Sequence, residues 1–185
     1  MALIKYGEWE RWQRLLNPQR FKAALVRELG RAMSANVVLV RTEIVDRIDA
    51  GAYAANAPLT ILLKGSGLPL VDKGDLRRSI QGKVISWNEG VVGLLRTGEK
   101  ANIAAILHEG ASIKVTPKMR GWFVGQTGKG VKPLNPGTKE IRIPGRPFIK
   151  EVIELPAVIT AVQLNYRNGV QAALKDASGN YKSSI

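Results

Sequence analysis

The sequence predicts an α+β fold in which two long helical segments bracket a middle region of short strands. Three observations carry that reading. Phe21, Leu25, Leu29, Met33, Val37, Val40, Ile44 and Ile48 recur at steps of three and four, which is one apolar stripe over about eight helical turns. Phe148, Val152, Leu155, Ile159, Val162, Tyr166 and Val170 repeat the pattern near the other end. Between them, Lys83–Trp87 and Val91–Leu95 read as β-runs linked by Asn88-Glu89-Gly90. Asn and Gly in so short a link signal an antiparallel hairpin.

In chain order, Glu8 to Leu16 reads as a short helix with Trp9, Trp12 and Leu16 on one stripe. Asn17-Pro18 ends it and opens the next helix, with Asn as N-cap and Pro at the first helical position. Gly51 stops that helix, so the N-terminal helices occupy about residues 8–50. Residues 52–67 read as a loop with one helical turn at Thr60 to Lys64. Asp72-Lys73-Gly74 then makes a turn, and Asp75 caps a short helix to Ile80. Asn102 to His108 reads as a short helix ended by Gly110. Ser112–Thr116 and Thr138–Ile143 alternate like strands and are placed to pair. Pro147 opens the last helix, which Pro156 bends or splits. One domain over residues 1–175 is expected, with a frayed tail over 176–185.

The 185 residues carry 28 Lys and Arg against 15 Asp and Glu, a formal net charge of +13. A hydrophobic fraction of 45% is that of a chain able to form a core. The absence of Cys removes disulfides, thiolate nucleophiles and zinc or iron–sulfur sites built on thiolates. A single His excludes zinc sites that need two imidazoles. The longest uncharged run, Ala50–Leu63, is interrupted by Gly51, Asn56 and Pro58 and is short of the ~20 apolar residues that span a bilayer. Charges at Glu8, Glu10, Arg11 and Arg14 stand where a signal peptide would be apolar. A soluble product of the cytoplasm with no membrane contact is expected.

The charge is concentrated. Residues 111–150 hold nine bases (Lys114, Lys118, Arg120, Lys129, Lys132, Lys139, Arg142, Arg146 and Lys150) and one acid, Glu140, together with six glycines and five prolines. That composition predicts a long basic excursion, about 111–138, extended as an arm or loop. Removing Gly121 to Lys132 is therefore expected to leave a folded monomer.

No chemical motif is complete. Gly125–Gly130 suggests a phosphate loop, but Phe123 and Gly130 stand where that motif needs Gly and Ser or Thr. His108-Glu109 starts like a zinc-protease helix but has no second His. Asp72 and Asp75 are explained by a turn and a cap, and Ser66 and Ser79 have no base besides His108. The expectation is a protein that is not an enzyme, with no cofactor, no metal and no catalytic residue. Trp122 and Phe123 lie amid Lys and Arg, where aromatics either stack on bases or anchor protein contacts. Trp9 and Trp12 either fill a core or dock on a partner.

Four segments then occur in a recognisable order. Pro69-Leu70-Val71-Asp72-Lys73-Gly74-Asp75-Leu76-Arg77-Arg78-Ser79-Ile80 resembles a "PL-x-D-[TK]-G-x-L-x-x-S-I" pattern. Glu89-Gly90-Val91-Val92-Gly93 resembles a strand ending in Val-Gly. Ala104-Ala105-Ile106-Leu107-His108-Glu109-Gly110-Ala111 is similar to a "YA-x-I-H-[EQ]-[FY]-G" helix-turn, and Ile143-Pro144-Gly145-Arg146-Pro147-Phe148-Ile149 to an "IPxRPF[LI]" segment. Val115–Arg120 adds a further match between the last two. These patterns belong to the neck and tail-completion proteins of tailed bacteriophages, the virion morphogenesis family. The chain departs from them at Ile103, where the family has an aromatic, at Gly110, which follows Glu109 directly, and at Lys73, where Thr is commoner.

The resemblance implies a small antiparallel sheet packed against the long N- and C-terminal helices. It also implies a structural virion protein, made in the host cytoplasm, that forms a homo-oligomeric ring at the head–tail junction through which DNA passes. A hexamer is the first expectation and a dodecamer the second. Neighbours would be the connector, tail terminator, tube or sheath proteins, with transient non-specific DNA contact in the lumen. Arg146, Phe148, Trp122, Phe123, Lys118, Arg120, Trp9 and Trp12 are the candidate assembly residues. Within them, Pro147 would fix the start of the helix, Phe148 would anchor it in the core, and Arg146 would pair with the preceding turn or across a subunit boundary. The other reading is a basic nucleic-acid-binding protein, for which +13 is the main support.

Overall fold

The computed structural model describes residues 17–71, 74–94 and 99–178. The helix read at 8–16, with Trp9 and Trp12, lies outside them. The fold is mixed α+β, with a long N-terminal helix, a long C-terminal helix and two small two-stranded sheets. In order the elements are α1 (Pro18–Asp49), α2 (Pro58–Lys64), α3 (Asp75–Ser79), β1 (Ile80–Ser86), β2 (Glu89–Leu94), α4 (Glu99–Glu109), β3 (Ala111–Lys114), α5 (Pro117–Gly125), β4 (Glu140–Ile143), α6 (Lys150–Ile153) and α7 (Pro156–Ser178). A 3₁₀ turn, Thr127–Lys129, follows α5.

α1 opens as its sequence dictates. The Asn17 carboxamide oxygen accepts from the Arg20 N–H at 3.1 Å, and Pro18 holds the first helical position. Leu29, Met33, Val37, Ile44 and Ile48 of the predicted stripe are buried, while Phe21, Leu25 and Val40 are half-buried. The short helices differ in their caps. α3 starts from Gly74 in the left-handed region, and Asp75 sits in the first turn paired with Arg78 rather than acting as the cap.

The described residues form two compact units. One unit comprises residues up to Val40, Gly82–Val92 and Glu154 onward; the other comprises Arg41–Gln81 and Gly93–Ile153.

In the first unit α7 runs antiparallel to α1. Arg27 Nη2 reaches Asp176 Oδ2 at 2.7 Å near one end, and Asn165 Nδ2 donates to Asn36 Oδ1 at 2.7 Å toward the other. Between these points the helices touch through small residues. A Cβ on Gly169 would lie 3.2 Å from the Glu28 carbonyl oxygen and 3.4 Å from the Ala32 Cβ. Ala24, Ala32, Ala173 and Ala177 are buried as well. Asp176 and Ala177, expected in a frayed tail, belong instead to the packed helix. Pro156 breaks the last helical pattern into α6 and α7 and resets its phase. Ile159 and Val170 of the predicted stripe are consequently exposed, and Val158, Gly169 and Ala173 take their place.

The β1–β2 hairpin belongs mostly to the same unit and turns at Trp87-Asn88. Gly90 is not the turn residue that the sequence suggests. It lies in β2 beneath α1, where a Cβ would meet Val37 Cγ2 at 2.6 Å and Met33 Sδ at 2.8 Å. Gly82 in β1 approaches Val37 Cγ1 in the same way, at 2.4 Å. Two glycines thus form a bare patch of strand onto which Val37 packs directly.

In the second unit β3 and β4 pair antiparallel, Ala111 opposite Ile143 and Lys114 opposite Glu140, as the alternation at 112–116 and 138–143 predicts. The segment between them, expected as an arm or loop, carries α5 and the 3₁₀ turn before a loop that returns to β4. Thr116 caps α5 by accepting from the Met119 N–H at 3.2 Å, and Pro117 sets its first position.

Candidate functional site

Two of the four segments singled out in the sequence, Ala104–Ala111 and Ile143–Ile149, meet where β3 and β4 close. Gly110 ends α4 with a φ of 82°, and its backbone lies against that of Gly145. A Cβ on Gly110 would stand 2.7 Å from the Gly145 nitrogen, and one on Gly145 would stand 2.7 Å from the Glu109 carbonyl oxygen. Only glycine allows two chains to cross this closely. The contact is locked by the Arg146 N–H donating to the Leu107 carbonyl at 2.9 Å.

Arg146 and Phe148 then turn inward. Arg146 is 6% exposed; its Nε donates to the Ala54 carbonyl at 3.0 Å, and its Nη2 to the Ala55 carbonyl and Asn56 Oδ1 at 3.3 and 3.4 Å. The guanidinium fork fastens the loop after α1. The side-chain partners of Arg146 are not in the preceding turn, as one expectation had it, but in the loop at 54–56. Phe148 is fully buried, meets the His108 ring edge-on at 5.2 Å, and its carbonyl accepts from the Tyr53 hydroxyl at 3.4 Å. Burial raises the Tyr53 phenol above its ordinary pKa, and Arg47 opposes that shift. The Ser79 hydroxyl donates to the Leu76 carbonyl and the Ser66 hydroxyl accepts from the Leu68 N–H, so both serines serve turns. Among the described residues no group of three metal-ligating side chains occurs.

Arg120 repeats the arrangement in the basic segment. From α5 it donates to the carbonyls of Asn135 and Pro136, each at 3.1 Å, and to that of Thr138. It thereby ties the helix to the chain returning into β4. Phe123 is buried beneath Trp122, ring edge to face at 5.1 Å, and Val131 is buried too. Residues 121–132 therefore supply buried side chains, which speaks against the expectation that they can be removed without unfolding. Trp122 and Lys118 face outward; Trp122 keeps 46% of its surface. Lys114, Lys129, Lys132, Lys139 and Arg142 are exposed as well.

What the sequence left unseen is the quantity of apolar surface. Among the described residues eighteen large apolar side chains are exposed, whereas thirteen are buried once the five buried alanines are set aside. Single exposed apolar residues are ordinary. Contiguous exposed apolar surface is the feature that marks a site of interaction. On the hairpin, Ile85, Trp87 and Val91 form one such group; Trp122 and Val124 on α5 are exposed individually.

No protein-family model, curated protein or solved structure matches the chain. Among the described residues no helix is long and apolar enough to cross a membrane.

Proposed function

We propose that this chain is a structural, non-catalytic component of a tailed-phage virion. In this reading it forms a homo-oligomeric ring, hexameric or dodecameric, at the head–tail junction, as a neck, tail-completion or terminator protein through which DNA passes. The observation that carries the proposal is the excess of exposed over buried large apolar side chains, which suits a protein that works only when flanked by copies and neighbours. The four-segment resemblance supplies the particular class. The close crossing of Gly110 and Gly145 supports it, since it gives two of those segments a joint structural role. Electron microscopy of the purified protein tests the proposal: rings with a central opening are expected, and a monodisperse monomer at every concentration overturns it.

The second reading, a nucleic-acid-binding protein, is favoured by the exposed bases between Lys114 and Arg142. Salt separates the two. Weak duplex binding that collapses between about 50 and 200 mM salt fits a passage that DNA slides through. Tight, salt-resistant or sequence-selective binding favours the second reading and overturns the first.

A further inference from the structure

We infer that the outer face of the β1–β2 hairpin is a two-fold contact surface for a second copy of this chain. Burial alternates along β1 and over the first four residues of β2, with Trp87 exposed in the turn between them. Gly82, Gly90 and Val92 lie on the side toward α1, which leaves Lys83, Ile85, Trp87, Glu89 and Val91 on the other side, all exposed. Ile85, Trp87 and Val91 retain 53%, 43% and 38% of their surface, so the middle of a small sheet is apolar and uncovered. A two-stranded sheet has little stability of its own and gains by covering that face.

The charges name the occupant. On a chain of net charge +13, contact between copies is opposed by repulsion over most of the surface. Docking through Trp122, for example, would bring Lys118 and the neighbouring lysines of two copies together. The hairpin face holds one base and one acid, and neither makes an ion pair among the described residues. Lys83 lies toward the open end of the hairpin and Glu89 beside its turn. A two-fold axis through the Ile85 and Val91 region lays the turn end of one copy over the open end of the other. Glu89 of each copy then meets Lys83 of its mate, with the apolar residues between them. An isologous contact closes as a pair, so this surface is additional to the head-to-tail contacts that a ring requires.

Charge reversal tests the contact without touching the core, because both residues are exposed. Lys83→Glu alone and Glu89→Lys alone each set two like-charged pairs against each other, and self-association measured by sedimentation at low salt should weaken roughly tenfold or more. The two variants mixed in equal amounts should associate with each other as wild type does, since each supplies what its mate lacks. The double variant Lys83→Glu/Glu89→Lys should also recover. Because the chain has no Cys, Ile85→Cys treated with a short bis-maleimide provides a second readout: a covalent dimer is expected, and Gln171→Cys on α7 should give none. If both single variants associate as wild type, or the mixture fails to recover while circular dichroism shows folded protein, the inference is overturned and the ring proposal stands. A wild type that pairs through the hairpin but never closes rings overturns the ring proposal and leaves this inference standing. A wild type monomeric at all concentrations overturns both.

Discussion

Replacing Gly82 by Ala should destabilise the protein through one identified atom pair. The new Cβ would stand 2.4 Å from Val37 Cγ1, more than an ångström inside the ~3.5–4.0 Å at which carbon atoms rest against each other. Val37 cannot swing aside. It is β-branched on a helix, where one rotamer dominates, it is 8% exposed, and its other methyl group faces Gly90. The strand or α1 must therefore move, at a cost of about 1–3 kcal/mol for overpacking. Glycine's extra freedom in the unfolded chain returns roughly 0.4–1 kcal/mol to the alanine variant, so a net loss of about 1–2 kcal/mol is expected. Val37→Ala alone removes two buried methyl groups, at about 0.8 kcal/mol each before any cavity term.

The double variant decides whether the clash is the cause. In Gly82→Ala/Val37→Ala the methyl group that the new Cβ strikes is gone, and the Cβ occupies part of the space vacated. Its loss should be close to that of Val37→Ala alone and clearly less than the sum of the single losses. Urea denaturation followed by circular dichroism measures all four corners of the cycle. Losses that add within about 0.5 kcal/mol would show that the sites do not interact and would refute the packing argument.

Arg146→Met should cost about 1–3 kcal/mol, because three oxygen acceptors lose charged donors, and Arg146→Lys should cost nearly as much, since one ammonium cannot span the fork; equal stability of Arg146→Lys and wild type in urea would exclude the staple. Phe123→Ala should lose about 3–5 kcal/mol as a buried aromatic truncation, whereas Trp122→Ala should stay within about 1 kcal/mol and weaken assembly instead, readable as thermal midpoint against sedimentation. Glu28 is held below its ordinary carboxylate pKa chiefly by the hydrogen bond from Arg27, with Arg31 adding to it. Its stabilising effect is thus present above the unfolded value, about 4.5, and is lost as the pH falls through the folded one. Glu28→Gln should have a flatter stability profile below pH 4.5, and an unchanged acid limb would sink this assignment.

The long stripe of α1 and the pairing of 112–116 with 138–143 were legible in the sequence because apolar period reports directly on burial. The packing of α7 was not. Its contact face is built on Val158, Gly169, Ala173 and Ala177, and small residues hardly register in a hydrophobic pattern, so the eye follows Ile159 and Val170 to the wrong side of the helix. Gly90 shows a related limit, since a glycine beside Asn reads as a turn whether it makes one or yields space to a helix. The two arginines show the hardest case. Their acceptors are main-chain carbonyls of Ala54, Ala55, Asn135, Pro136 and Thr138, which carry no side-chain signature, so nothing in the sequence separates an interface arginine from an internal staple.

That division of labour bears on what the charge does. Within residues 111–150 the structure turns Arg120 and Arg146 inward and exposes Lys114, Lys118, Lys129, Lys132 and Lys139, with Arg142 the one arginine beside them on the surface. Guanidinium groups read base edges and phosphates bidentately, whereas ammonium groups act as hydrated point charges. A surface furnished almost entirely with lysine attracts a polyanion at long range without fixing its register. Under the proposed ring function, such a surface suits DNA that passes without being held. Replacing Lys118, Lys129 and Lys132 together by Gln should therefore lower duplex affinity equally for every sequence and flatten its salt dependence by about three charges' worth of slope. A loss confined to one sequence would mean that these side chains read bases after all.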